Sequence, residues 1–245
     1  MRWRRIILVA LVVLVGMAGI AAFVWIQNAY QPTGTAVQAL QSDAQVNVVQ
    51  TNGSILFTPI EPSPSTGFIF YPGGGVDYRA YAPVLRSIAE RGYMVGLVSV
   101  PLNLALLDTN AANKIIAATP EIEAWVVGGH SLGGVAAARF AEGYTVAGLA
   151  LWASFPADEA LRQAEFPAVL VYGTEDGLFA AENVAIATDR LPDEAIFVAI
   201  EGGNHAQFGA YGFQEGDSAA TITPEAQWEQ TADATVTLLQ LAQNR

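Results

Sequence analysis

Residues Gly129-His130-Ser131-Leu132-Gly133 set a serine between two glycines, with Ala124-Trp125-Val126-Val127 ahead of them and Gly134-Val135-Ala136-Ala137-Ala138-Arg139-Phe140 behind. The leading flank is an apolar run of buried-strand type and the trailing flank is a strong helix former. The serine therefore falls at a strand-to-helix turn. A sharp turn at that point aims the hydroxyl outward, and the flanking glycines let neighbouring backbone close in without side-chain clash. A hydroxyl so presented can attack an electrophilic carbon once a base takes its proton, so Ser131 reads as a nucleophile.

The base follows by elimination, because the chain has only two histidines, His130 and His205. His130 is next to Ser131 in the turn, so its side chain should point away, as a packed or hydrogen-bonded residue. His205 lies in Glu201-Gly202-Gly203-Asn204-His205, directly after the apolar run Ala195-Ile196-Phe197-Val198-Ala199-Ile200. A loop at a strand end can deliver a general base to a sheet edge. A carboxylate is then needed to hold the imidazole. Asp176 stands beyond Ala168-Val169-Leu170-Val171-Tyr172, in Gly173-Thr174-Glu175-Asp176-Gly177; Glu175 is its nearest rival and Asp108 a more distant one.

Developing negative charge needs fixed donors. The strand Thr66-Gly67-Phe68-Ile69-Phe70-Tyr71 runs straight into Pro72-Gly73-Gly74-Gly75. Backbone N–H groups of Gly74 or Gly75, with that of Leu132, are the expected oxyanion hole. The same glycines do not make a phosphate loop, because no Gly-Lys-Ser/Thr follows. They do not make a dinucleotide fingerprint either, because Tyr78 stands where a third glycine belongs.

These residues resemble the α/β-hydrolase superfamily, and within it the small, lid-less members of alpha/beta hydrolase fold-5 type, similar to dienelactone hydrolases. The likeness is carried by Tyr71-Pro72-Gly73-Gly74-Gly75-Val76-Asp77, Gly128-Gly129-His130-Ser131-Leu132-Gly133-Gly134, Tyr172-Gly173-Thr174-Glu175-Asp176 and Gly202-Gly203-Asn204-His205-Ala206-Gln207-Phe208. It covers roughly residue 46 to the C-terminus. Dienelactone hydrolases use a cysteine nucleophile and this chain has none, so the likeness extends to the fold and not to that substrate. The resemblance implies the chain order serine, acid, histidine, which favours Asp176 as the acid. It also implies ester, thioester or peptide-like substrates.

The elements needed to position these groups are legible as alternation. Strands are expected near 45–50, 54–58, 66–71, 94–99, 124–128, 146–151, 168–172 and 196–200, the first two joined across an Asn52-Gly53 hairpin turn. Helical patterns lie between the later strands: one from about Tyr81 to Gly92, one from Leu132 to about Ala141. A last helix opens at Thr223-Pro224 with Trp228, Ala232, Val236 and Leu239 on its core side. The fold class is α/β, an α/β-hydrolase fold with a mostly parallel central sheet and helices on both faces, preceded by one N-terminal transmembrane helix. The stretch between the strands near 151 and 168 is too short for a cap domain, so an open site is expected. The long segment 206–222 follows His205, and Gln207 and Tyr211 within it are the expected substrate-binding residues.

Residues 6–26 are an uninterrupted apolar run with Arg2, Arg4 and Arg5 just before it. As a helix it would be about 31 Å long, enough to cross a bilayer. Trp3 and Trp25 stand at its two ends, where interfacial side chains belong. The expected organisation is an anchor or signal sequence over 1–26, a linker over 27–44 and a hydrolase domain over 45–245. The positive-inside bias makes it a single-pass cell-membrane protein with the domain outside; the alternative is secretion after cleavage near Gly19 and Ala21. Without Arg2, Arg4 and Arg5, 8 of the 11 basic residues remain against 23 acidic ones, a net charge of −15. That charge argues against nucleic acid as a partner. With no cysteine and two distant histidines, neither a disulfide framework nor a metal site is visible, and no cofactor is expected. The expected function is a serine hydrolase acting on a small acyl substrate through Ser131, His205 and Asp176. An acyltransferase using the same triad, or a non-catalytic binding module, is the alternative.

Overall fold

The computed structural model describes residues 2–51 and 53–244, and only part of the side chains in the first helix. Asn52, the first residue of the expected hairpin turn, lies outside the described residues. The two strands it joins, β1 (Val46–Thr51) and β2 (Ser54–Pro59), pair antiparallel from Val46 opposite Pro59 to Thr51 opposite Ser54.

Six further strands complete one sheet: β3 (Thr66–Tyr71), β4 (Met94–Val98), β5 (Ala124–His130), β6 (Gly148–Trp152), β7 (Ala168–Gly173) and β8 (Ile196–Ile200). Their order is β1-β2-β4-β3-β5-β6-β7-β8. β2 meets β4 antiparallel, and every pair from there to β8 is parallel. Every residue of β3, β4 and β6 is buried, which a strand achieves only when both faces of its sheet are covered. β8, at the rim, buries only Ile200.

The cover comes from helices. α1 (Arg2–Gln27) and the short α2 (Gly34–Ala39) precede the sheet. α3 (Ala82–Ala89), α4 (Ala112–Ala118), α5 (Leu132–Gly143), α6 (Ala181–Arg190) and α7 (Pro224–Gln243) follow its strands. α3 packs on α7, while α5 packs on β3, β5 and β6. α7 starts where the cap and proline indicate, with the Thr223 hydroxyl accepting from the Ala226 N–H at 3.3 Å. Trp228, Ala232 and Leu239 are buried and Val236 is half-buried against them. Residues 153–167 form no helix or strand, so no cap domain is inserted there.

The stretch 27–44 is folded onto the domain. Ala29, Ala36 and Leu40 are buried, and Tyr30 forms a β-bridge with Val76 through Tyr30 N–H to Gly75 O (2.8 Å) and Asp77 N–H to Tyr30 O (2.9 Å). α1 ends against the same loop, its Trp25 indole donating to the carbonyl of Leu102 at 2.7 Å. The expected transmembrane span is not found: among the described residues no helix is long and apolar enough to cross a membrane. α1 occupies the anticipated stretch, Arg2–Gln27.

Candidate active site

Ser131 joins the end of β5 to the start of α5 with φ 51° and ψ −122°. Positive φ is a costly place for a residue with a Cβ, on the order of 1–3 kcal/mol, and persists only where the surroundings over-determine it. Here they do. The Ser131 N–H donates to Trp152 O at 2.9 Å, and its carbonyl accepts from the Ser154 hydroxyl at 2.7 Å and from the Gly134 N–H at 3.0 Å. A Cβ on Gly129 would run into the backbone of Gly133, and one on Gly133 into the carbonyls of Tyr71 and Pro72. The turn closes because both positions lack a side chain.

Parallel strands bring their carboxyl ends to one edge, and the turns after β5, β7 and β8 carry Ser131, Asp176 and His205 there. His205 Nδ1 lies 2.8 Å from Asp176 Oδ2, with both side chains buried. The other carboxylate oxygen accepts the N–H groups of Leu178 (2.8 Å) and Phe179 (2.6 Å). A carboxylate only accepts, so Nδ1 carries the proton in this pair and Nε2 is left with its lone pair. Glu175 is exposed, and Asp108 is held by Lys114 at 2.9 Å, so Asp176 alone of the three acids meets the imidazole. The His205 loop is pinned to α7 by buried Gln227, which accepts from the Asn204 N–H (3.0 Å) and donates to the Asn204 carbonyl (2.7 Å).

Ser131 and His205 line one cavity of about 400 Å³. No hydrogen bond joins the Ser131 hydroxyl to His205 among the described residues. Such contacts commonly tighten only around a bound substrate. The rest of the lining is mostly apolar, from Leu132, Val135, Phe155, Leu178 and Phe179, with Gln214 as a polar member.

Of the two alternative donors expected in the glycine loop, one is already engaged. Gly75 N–H is taken by Asn103 O at 2.9 Å, which removes Gly75 from the anticipated oxyanion hole. Gly73 N–H is taken by the Tyr81 hydroxyl at 3.0 Å. Gly74 and Leu132 have no backbone acceptor among the described residues. The two sit close, since a Cβ on Gly74 would come within 3.1 Å of the Leu132 side chain. The Tyr81 hydroxyl, having accepted from Gly73, donates its own hydrogen to His130 Nδ1 at 2.9 Å. His130 is thus the Nε2–H tautomer, and that nitrogen is buried without a partner. Burial holds its pKa well below the ordinary histidine value, and the His205 ring 4.4 Å away adds to the shift. Burial likewise pushes the Tyr81 phenol up, against the pull of the Gly73 N–H.

Gln207 and Tyr211 do not line the cavity that holds Ser131. Gln207 lines a separate cavity of about 300 Å³ beside Trp228 and donates to Ile222 O at 3.3 Å. Tyr211 is buried against Tyr30 and Tyr81, and its hydroxyl donates to Gln214 Oε1 at 2.9 Å. The short turn Ala206–Phe208 carries Gln207 behind His205. It is Gln214, seven residues further on, that faces the cavity, a reversal that composition gives no sign of. Among the described residues no cluster of three or more His, Cys, Asp or Glu side chains could hold a metal ion.

A family model described as the alpha/beta hydrolase family matches residues 67–229. The chain belongs to that family. Its fold is shared with an esterase domain from Rhodothermus marinus, at a TM-score of 0.59 and 16% identity over 79% of this chain and 98% of that one. A butyrate-bound esterase from Thermogutta terrifontis gives 0.59 and 15%, over 80% and 94% of the two chains. Est1E from Butyrivibrio proteoclasticus gives 0.58 and 11%, over 80% and 100%. No curated protein matches the sequence.

Proposed function

We propose that the protein is a serine hydrolase that cleaves esters of small, uncharged acyl groups through an acyl-enzyme. The observation that carries this reading is the buried Asp176–His205 pair at 2.8 Å, opening on the cavity that also holds the strained Ser131. Ser131 Oγ attacks the acyl carbon while its proton passes to His205 Nε2. The carbonyl electrons move onto oxygen, which the N–H groups of Leu132 and Gly74 receive; each such donor is worth on the order of 3 kcal/mol in the transition state. Collapse expels the alcohol with the proton from Nε2. Water then repeats the sequence on the acyl-enzyme, releasing the acid and restoring the serine. The N-terminus of α5 points its dipole at the same oxygen.

The apolar lining formed by Leu132, Val135, Phe155, Leu178 and Phe179 favours an apolar acyl group, and the cavity's size favours a short one. Neighbours described as esterases support an ester as the substrate class. Hydrolysis of a p-nitrophenyl ester series from acetate to dodecanoate tests this. Rates should peak at short chains and fall at least a thousandfold in Ser131→Ala. A flat series, or full activity in the variant, would contradict the reading.

Anchoring at a cell membrane through α1, with the hydrolase domain outside, belongs to the same proposal. Its support is the uncharged apolar run 6–26 behind an arginine cluster, and the exposure of Ile7, Leu11, Leu14, Met17 and Phe23 along α1. The full chain should remain in the membrane pellet after carbonate extraction, while a chain starting at residue 27 should appear in the supernatant.

A further inference from the structure

The segment 206–222 folds back across the two turns that carry the acid and the base. One side chain in it touches both. Asp217 Oδ2 accepts the N–H of Ala206 at 2.8 Å, and Oδ1 accepts the N–H of Gly177 at 3.0 Å together with that of Ser218 at 2.9 Å. Ala206 is the residue after His205, and Gly177 is the residue after Asp176. A single carboxylate therefore ties the backbone one step beyond each member of the buried pair. No cationic side chain pairs with Asp217 among the described residues, so its acceptor capacity goes to these amides. The apposition is tight. A Cβ on Gly177 would lie 2.8 Å from Ser218 N and 2.9 Å from Gly216 O. The segment is fastened to the base loop twice more, through Asn204 Nδ2 to Ser218 O at 2.7 Å and Thr221 N–H to Gly202 O at 2.8 Å.

We propose that Asp217 is a positioning residue that fixes the separation of Asp176 and His205 by bridging the amides of Gly177 and Ala206. The two turns come from adjacent strands, β7 and β8, but leave the sheet before their functional residues. Strand pairing alone therefore does not set the gap between the carboxylate and the imidazole. Direct bonds join the turns as far as Thr174 N–H to Ile200 O (3.0 Å) and Glu175 N–H to Gly203 O (2.8 Å), and the Asp217 bridge carries the tie past Asp176 and His205 themselves. Charge-assisted hydrogen bonds from amides to a carboxylate are shorter and stronger than neutral ones, which suits a part whose task is to hold a distance. Hydrogen bonding between the acid and the base weakens steeply once distance or angle drifts, so a small loosening should appear in turnover.

The inference rests on the proposed triad, and its test reads the pair with and without turnover. Asp217→Ala and Asp217→Asn are compared with wild type, and with Asp233→Ala, which breaks an exposed ion pair to Arg91 remote from the site. The readouts are kcat and KM on a short-chain ester, the thermal unfolding midpoint, and the low-field proton resonance of the His205 Nδ1–H bonded to Asp176. Asp217→Ala should lower kcat by about ten- to a hundredfold with KM changed less than about threefold. It should also shift or broaden the low-field proton. Asp217→Asn, which keeps one oxygen acceptor, should fall between it and wild type and serves alone if the alanine variant does not fold. Asp233→Ala should leave kcat and the proton unchanged. An unmoved resonance, whether kcat holds or falls only in step with the unfolding midpoint, would overturn the proposal. A resonance that moves in a protein that turns over no ester would uphold Asp217 as the clamp and defeat the hydrolase reading instead.

Discussion

At the scale of single residues, the two histidines have opposite duties. His130 is buried and neutral, bound by Tyr81 on one nitrogen and partnerless on the other. Its folded pKa lies below its unfolded value, so the unfolded chain binds the extra proton first as pH falls. Stability from this group is therefore complete above about pH 6.5 and declines below it, by at most about 1.4 kcal/mol per pH unit. His130→Phe should flatten the drop in urea midpoint between pH 7.5 and 5.5; an equally steep drop in the variant would refute the assignment. Asp176→Asn tests the other histidine. An amide at that position leaves the imidazole without its anionic acceptor and favours the wrong tautomer, so kcat should fall about 10⁴-fold at neutral pH with the fold intact. That Ser131, Asp176 and His205 come to one sheet edge was legible in the sequence: the serine from its strand–turn–helix flanks, the histidine by elimination, and the acid from the chain order that the resemblance implies. The direction of an N–H is not written in residue types: the N–H of Gly75 donates to Asn103 O, and that of Gly74, the same residue type, does not. Nor does the sequence show that Tyr211 packs inward while Gln214, three residues later, faces the cavity.

At the scale of elements, the junction of β5 and α5 is the part with least tolerance. Gly133 sits against the carbonyls of Tyr71 and Pro72, backbone that cannot rotate away as a side chain can. Gly133→Ala should cost about 3 kcal/mol or more in urea denaturation, at the upper end of what overpacking usually costs. A loss under about 1 kcal/mol would show that the turn and the glycine loop can part. The strands were readable because parallel strands covered on both faces are plain apolar runs, and α7 was readable because its cap and buried stripe agree. α4 and α6 were not foreseen. Seven residues of α4 are too few to show a helical period, and α6 buries only Ala187 completely, so it presents no stripe to find. The stretch 27–44 reads as a linker by composition, yet Tyr30 adds a bridge to the glycine loop that only the folded partner reveals.

At the scale of the whole molecule, the N-terminal segment and the catalytic edge are one mechanical unit. Tyr30 shares two backbone hydrogen bonds with the loop carrying Gly74 and packs its ring 5.5 Å from that of Tyr211. A chain starting at residue 27 should keep the stability and kcat of the full protein. A chain starting at residue 34 should lose about 2 kcal/mol, from two backbone bonds, and part of its kcat as the glycine loop loosens. Identical urea midpoints and rates for the two would show that the bridge holds nothing. The acidic balance of the domain, net −15 without the N-terminal arginines, acts at this scale too, favouring neutral over anionic substrates where the site itself is apolar. All of this depends on Ser131 being the nucleophile. The most direct measurement is to react the protein with a fluorophosphonate, digest it and locate the added mass by peptide sequencing. The expected result is one adduct per chain, on Ser131, formed much more slowly in His205→Ala; an adduct on any other residue, or none while esters are still being cleaved, would contradict the account.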